Sequence, residues 1–387
     1  MASNFTTPDN IFGQIDLDEK FITDSWLVDQ FVGGTLFSWG IGTNGAIGNQ
    51  TINIPYSSPV QIGSLTNWSI IACGQGYETA VIKNDGTLWS WGSGASGQMG
   101  NNTSTNLTSP IQVGSLTNWK KITFGYDSIL AIKADGTLWG WGHDGYGQLG
   151  NGVAIAGYSS PVQIGLLTNW STVSVSYHAA AIKTDGTLWT WGRNVQGSLG
   201  NGTITNYSSP IQIGSLTTWK SVSTGWGHFA AIKTDGTLWT CGYNRFGQLG
   251  NGTVVYYSSP IQIGALTNWK QVSCGQQYTA AIKTDGTLWT WGYDGYGNLG
   301  NGTTVSYSSP IQIGSLTNWK QVVAMRHTAA IKTDGTLWTW GNNNNGTLGN
   351  NTTSNYSSPI QVGSLTNWKQ VSCGYYNTVA ITFKDLG

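Results

Sequence analysis

Hydrophobic residues in this chain fall in short runs with a period of two, the spacing that sends every second side chain to one face of a β-strand. Between residues 270 and 313 four such runs follow one another. Residues 270–274 put Val272 and Cys274 on one face, and residues 279–283 form a second strand. Residues 287–291 set Trp289 and Trp291 together, with Leu288 and Thr290 opposite. Residues 311–313 follow Pro310, where a proline suits the first residue of an edge strand. Asp285–Gly286 between the second and third runs is a two-residue hairpin signal of type I′.

The same pattern is written seven times. The tetrapeptide GTLW or GTLF begins at Gly34, Gly86, Gly136, Gly186, Gly236, Gly286 and Gly335. A second phrase, SPIQIGSLTNW or a variant, recurs with prolines at Pro59, Pro110, Pro161, Pro210, Pro260, Pro310 and Pro359. A unit of about 50 residues cannot bury a core alone and must stack on its neighbours. Four short antiparallel strands per unit, seven times over, predict an all-β seven-bladed β-propeller across residues 34–387. The chain enters at the third strand of the first blade and leaves after two strands that begin at Trp368. Both ends therefore complete one blade, and no disulfide is needed to close the ring. Nineteen of the 21 tryptophans lie in the two repeated phrases, which makes them framework.

Residues 1–33 stand outside the repeat. They carry Phe5, Ile11, Phe12, Phe21, Trp26 and Phe31, too much apolar material for a solvated linker, and six acidic residues against Lys20. A short helix is expected over 24–32, with Thr23 as N-cap and Gly33–Gly34 at its end. Ile11, Phe12, Phe21, Trp26 and Phe31 together would form a sticky patch if exposed, so this segment is expected to be a docking arm for a partner subunit.

Net charge is zero, which gives no broad electrostatic case for nucleic acid or an anionic membrane as partner. No apolar run approaches the ~20 residues of a membrane span. MASNFTTPDN shows no basic region followed by an apolar stretch, so no secretory signal is expected. Cys73, Cys274 and Cys373 share one repeat position on different blades, and Cys241 replaces a tryptophan; all four read as small core residues. His178, His228 and His327 also share one position and so stand on separate blades, unlike the converging ligands of a metal site. The hairpin aspartates Asp85, Asp135, Asp185, Asp235, Asp285 and Asp334 are turn residues. The loop carboxylates Glu78, Asp127, Asp144 and Asp294 lie in separate blades, with nothing in the sequence to join two as an acid/base pair. No phosphate loop or nucleophile elbow is present. The chain reads as a non-enzyme with no cofactor and no metal.

GTLWTWG followed by GQLGNG, with Gly225 and His228 ahead of a second strand, resembles the regulator of chromosome condensation repeat, in the form found in bacterial and phage proteins. The resemblance covers residues 34–384 and implies a non-catalytic binding propeller. Its members include a nucleotide-exchange factor for a small GTPase, a plant photoreceptor and a bacterial enzyme inhibitor. Repeat spacings of 49 to 52 leave no room for the exchange factor's inserted wedge. Only Trp226 lies in a variable loop, unlike the clustered tryptophans of the photoreceptor.

Comparison of the seven copies separates two faces. With the four runs of a repeat lettered A (270–274), B (279–283), C (287–291) and D (311–313), the loops between B and C and between D and A are almost invariant, whereas those between A and B and between C and D differ from blade to blade. Alternating strand direction puts the two variable sets on one face. That face carries Tyr126, Tyr177, Arg193, Trp226, Arg245, Phe246, Tyr278, Arg326, Tyr375 and Tyr376, the residue types that binding hot spots favour. A surface poor in charge and rich in Asn, Thr, Ser and Tyr, joined to an acidic apolar arm, points to a structural or interaction protein. The expectation is a bacteriophage virion component docked on other virion subunits through residues 1–33. The alternatives are a cytoplasmic bacterial protein-binding or inhibitor module and a glycan-binding adhesin.

Overall fold

A computed structural model describes residues 33–383; the expected arm and its helix fall on residues outside this range. Within it the chain forms seven four-stranded antiparallel sheets arranged as blades. In blade 6 the order from the centre outward is A (Trp269–Cys274), B (Tyr278–Lys283), C (Leu288–Gly292) and D (Tyr307–Gln312). Blade 1 is built from both ends: Trp368–Cys373 and Asn377–Thr382 supply A and B, and Leu36–Gly40 and Tyr56–Gln61 supply C and D. Leu36 pairs with Ile381 and Gly40 with Asn377, so a continuous ladder locks the two ends together. Among the described residues no helix is long and apolar enough to cross a membrane.

Strand D corrects one expectation. It spans six residues rather than three, and Pro310 sits inside it. Thr290 pairs with Ile311 and then Gly292 with Tyr307, so the proline falls in the irregular stretch between regular pairs. No strand lies beyond D, and a missing N–H there costs no ladder bond.

The core lies between blades. Every strand B is buried along its length. Both faces of strand C are covered as well: Leu288, Thr290 and Trp291 are fully buried. The Trp291 indole donates to the Gln248 carbonyl of the preceding blade at 2.9 Å and meets the Trp269 ring edge-on at 6.0 Å. Gly250 permits this approach, since a Cβ there would stand 2.6 Å from the Trp291 Nε1. At the hairpin tip the Asp285 Oδ1 accepts from the Thr287 amide at 3.0 Å and its hydroxyl at 2.7 Å. That hydroxyl accepts from the Trp289 indole at 2.9 Å, and the Lys283 ammonium lies 3.5 Å from the Trp289 ring centroid. The Asp-Gly pairs are turn and framework chemistry.

Candidate functional site

The seven A strands surround a channel of about 190 Å³ that includes Cys73, Cys274 and Cys373 in its wall. All four cysteines are buried free thiols, and burial pushes the Cys73 thiol up to about 12. The A–B loops rim one mouth of this channel, because each leaves the innermost strand of its blade. Backbone bonds knit neighbouring loops together: the Gln75 amide donates to the Gly125 carbonyl at 3.2 Å, and the Tyr375 amide to the Gly74 carbonyl at 3.2 Å.

Aromatic and arginine side chains of several loops then reach their neighbours. Tyr77 and Tyr376 stack at 4.6 Å, as do Tyr126 and Tyr177. Trp226 continues the arc at 6.3 Å from Tyr177, and the Arg193 guanidinium sits 5.5 Å from the Tyr177 ring. On the other side Tyr375 lies 4.8 Å from Tyr376, with the Arg326 guanidinium 4.2 Å from the Tyr375 ring. Arg245 and Phe246 belong to a separate patch on a C–D loop, where Phe246 meets Tyr293 at 4.9 Å. Of the ten sequence-predicted residues, seven are thus joined around or beside the mouth, Arg245 and Phe246 lie apart from it, and Tyr278 is buried.

Tyr278 does not belong to this surface. It is 1 % exposed, and its hydroxyl lies 2.9 Å from the His327 carbonyl and 2.8 Å from the Thr328 hydroxyl of the next blade. As the first residue of strand B it points into the blade interface, in the slot that His228, His327 and Asn377 fill elsewhere. His228 Nε2 lies 3.0 Å from the Thr279 hydroxyl, and His327 Nε2 is 2.6 Å from Thr378. Burial drives both imidazoles down to about 3, so they are neutral struts. His178 has no partner on either ring nitrogen among the described residues, because Phe229 replaces the threonine in the next blade. No group of three or more His, Cys, Asp or Glu side chains placed to hold a metal exists among the described residues.

The structure brings together two carboxylates expected to stand apart. Glu78 fills the strand-B slot of blade 2, while Asp127 occupies the loop position just before that slot in blade 3. Gln98 Nε2 lies 3.2 Å from Glu78 Oε1 and 3.5 Å from Asp127 Oδ1, and the Gly76 amide donates to Glu78 Oε2 at 3.0 Å. Burial, and then the Asp127 carboxylate beside it, raise the Glu78 carboxyl well above the usual range. Two carboxylates in one site do not ionise together easily, and Glu78 is the one whose proton is held. They form part of the wall of a cavity of about 370 Å³ at the mouth, with Tyr77, Tyr126, Tyr177 and Tyr376 in the same lining.

Asp144 and Asp294 play a different part. In blade 4 the Asn194 amide oxygen accepts from the Leu199 amide, and its Nδ2 donates toward Asn201 Oδ1 and the Thr203 and Thr205 carbonyls at 3.0–3.2 Å. Asp294 repeats the first contact with Leu299, but its Oδ2 has no donor among the described residues. An ionised oxygen there would face acceptors. Burial accordingly raises Asp294 to about 7 and Asp144 to about 6.

Residues 25–326 match the RCC1-like domain family, and residues 334–381 match the regulator of chromosome condensation (RCC1) repeat. Over 93 residues the chain is 34 % identical to the RCC1 domain-containing protein RUG3, mitochondrial, of Arabidopsis thaliana, covering 24 % of this chain and 20 % of that protein. It thus spans about a fifth of that curated relative. Human WBSCR16 superimposes with a TM-score of 0.81 at 21 % identity, covering 91 % of this chain and all of that one. Prp20p of Saccharomyces cerevisiae, solved in a study of its binding to Gsp1p and histones, gives 0.80 at 19 % identity over 92 % and 93 %. With the seven blades, the shared first blade and these matches in hand, the chain belongs to the RCC1-like domain family.

Proposed function

We propose that this propeller is a non-catalytic binding module that seats a protein partner on the mouth formed by its A–B and C–D loops. The observation that carries the reading is the belt of Tyr77, Tyr126, Tyr177, Trp226, Tyr375 and Tyr376 with Arg193 and Arg326 stacked on it. Tyrosine, tryptophan and arginine supply large, rigid contact area at low entropic cost. The likeness to Prp20p, solved in a study of its binding to Gsp1p and histones, supports a protein rather than a small molecule. The Glu78–Asp127 pair lies among tyrosines and amides, with no activated nucleophile beside it among the described residues, which favours recognition over catalysis.

As the setting we propose a virion, with residues 1–33 docking on neighbouring subunits. The charge-poor surface and the acidic, apolar composition of those residues support it. Mass spectrometry of purified particles tests this: protein in the particles supports the virion, and protein confined to host cytosol supports the intracellular module.

The binding face is tested by affinity capture from the native source. Trp226, Arg193 and Tyr126 changed together to alanine should lose a captured protein that the parent and a Ser215, Leu216, Thr217 triple-alanine variant retain. Equal capture by all three proteins would overturn the reading.

A further inference from the structure

We infer that the cavity at the channel mouth is a receptor for a single ammonium group on an aliphatic stem, the side chain of a lysine presented by the bound protein. The inference rests on the mouth being the binding face and names what that face selects.

Three observations converge on this chemistry. The cavity of about 370 Å³ is large enough for a four-carbon side chain and its head group. Four of its tyrosines are held as two stacked pairs, which fixes their rings around the opening. Cations already use the rings of this belt: Arg326 lies 4.2 Å from Tyr375 and Arg193 5.5 Å from Tyr177. Aromatic faces attract an ammonium through the ring quadrupole, more strongly where water is excluded.

The floor supplies the charge. Glu78, 1 % exposed, and the half-buried Asp127 are bridged by the Gln98 amide, and no ion pair to either carboxylate is present among the described residues. The carboxylate pair gives the floor a negative charge, which an ammonium balances. Asp127 is the more accessible partner and meets the ligand first, while Glu78 behind it holds the proton. Arg193 and Arg326 stay on the rim against Tyr177 and Tyr375, and Lys83 lies over Trp89 at the opposite face. A divalent metal is a poor match, because two carboxylates and an amide leave the remaining wall aromatic.

The test uses the whole protein and the peptides acetyl-Gly-Lys-Gly-amide and acetyl-Gly-norleucine-Gly-amide, which differ by the ammonium. Titration is followed by tyrosine ring resonances in NMR. The lysine peptide should shift them saturably and the norleucine peptide should not. Binding should weaken by about tenfold or more in Asp127→Asn, a substitution that the left-handed backbone there (φ 51°) tolerates. Raising pH from 6 to 9 should strengthen binding in the parent as Glu78 loses its proton, and Glu78→Gln, which fixes the neutral state, should bind like the parent at pH 6 and lose that rise. Equal shifts from both peptides, or unchanged affinity in Asp127→Asn, would overturn the inference. Partner capture separates the two readings. If the Trp226, Arg193, Tyr126 variant loses its partner while lysine peptide fails to bind the parent, the binding face stands and the ammonium site falls. If that variant keeps its partner although the peptide binds, the binding face falls instead.

Discussion

The two ends of the channel are made from the same seven blades, yet one end is uniform and the other is not. At the uniform end six hairpins repeat one device: an aspartate accepts from a threonine two residues on, the threonine hydroxyl accepts from an indole, and a lysine lies over that indole. Each of these loops braces the next strand A, so each must present the same shape. The D–A connections also repeat an exposed leucine at one position, such as Leu216 and Leu266 at 47 %. At the mouth, neighbouring loops meet through side chains that change around the ring: tyrosine on tyrosine, tyrosine on tryptophan, arginine on tyrosine. Loops freed from bracing blades can vary, and the variation is where recognition can be built.

If the repeated framework carries stability, damage to it should dominate. Deleting 364–387 removes strands A and B of blade 1 and exposes both flanking blade faces, so the cooperative unfolding transition should disappear in calorimetry. Trp291→Ala empties a fully buried site and removes its bond to Gln248, costing about 3–5 kcal/mol in urea unfolding. Asp285→Ala leaves the Thr287 amide without its acceptor and should cost roughly 1 kcal/mol.

The blades can also be set against one another by pH. Asp294 has its carboxyl raised to about 7 in the fold, from an ordinary value near 3.8. Its contribution is therefore fully present below about pH 4 and is lost as pH rises through 7. Asp294→Asn supplies the donor that Asn194 supplies in blade 4, so it should stabilise the protein by about 1 kcal/mol at pH 8. At pH 4 the difference should close. Parallel melting-temperature profiles for the two proteins between pH 4 and 8 would contradict this account. Smallest of all is Arg245→Ala, an exposed side chain at the variable end, expected to stay within about 0.5 kcal/mol of the parent.

Much of this was legible in the sequence. Period-two runs and the repeated GTLW phrase give the blades and the closure of the ring, because each strand must match its neighbour's face. Pro310 misled about strand D, since an outermost strand absorbs a proline that an inner one cannot. Tyr278 misled in the opposite way: it follows a variable loop, yet its side chain belongs to the blade interface. Glu78 and Asp127 are 49 residues apart, about one repeat, and sit one position out of step. That offset brings a strand residue of one blade to a loop residue of the next. Reading each carboxylate within its own blade hides the contact; aligning adjacent repeats with a one-residue slip would have shown it.

The central claim is that the variable mouth, and not the uniform end, meets the partner. Hydrogen–deuterium exchange of the propeller with and without its captured protein tests this directly. The account predicts slowed exchange at the A–B loops around Gln75–Tyr77, Tyr126–Asp127, Ser176–Tyr177 and Trp226, with no change at the D–A loops around Leu216 and Leu266. Protection confined to the leucine-bearing loops, with the mouth exchanging as in the free protein, would contradict it.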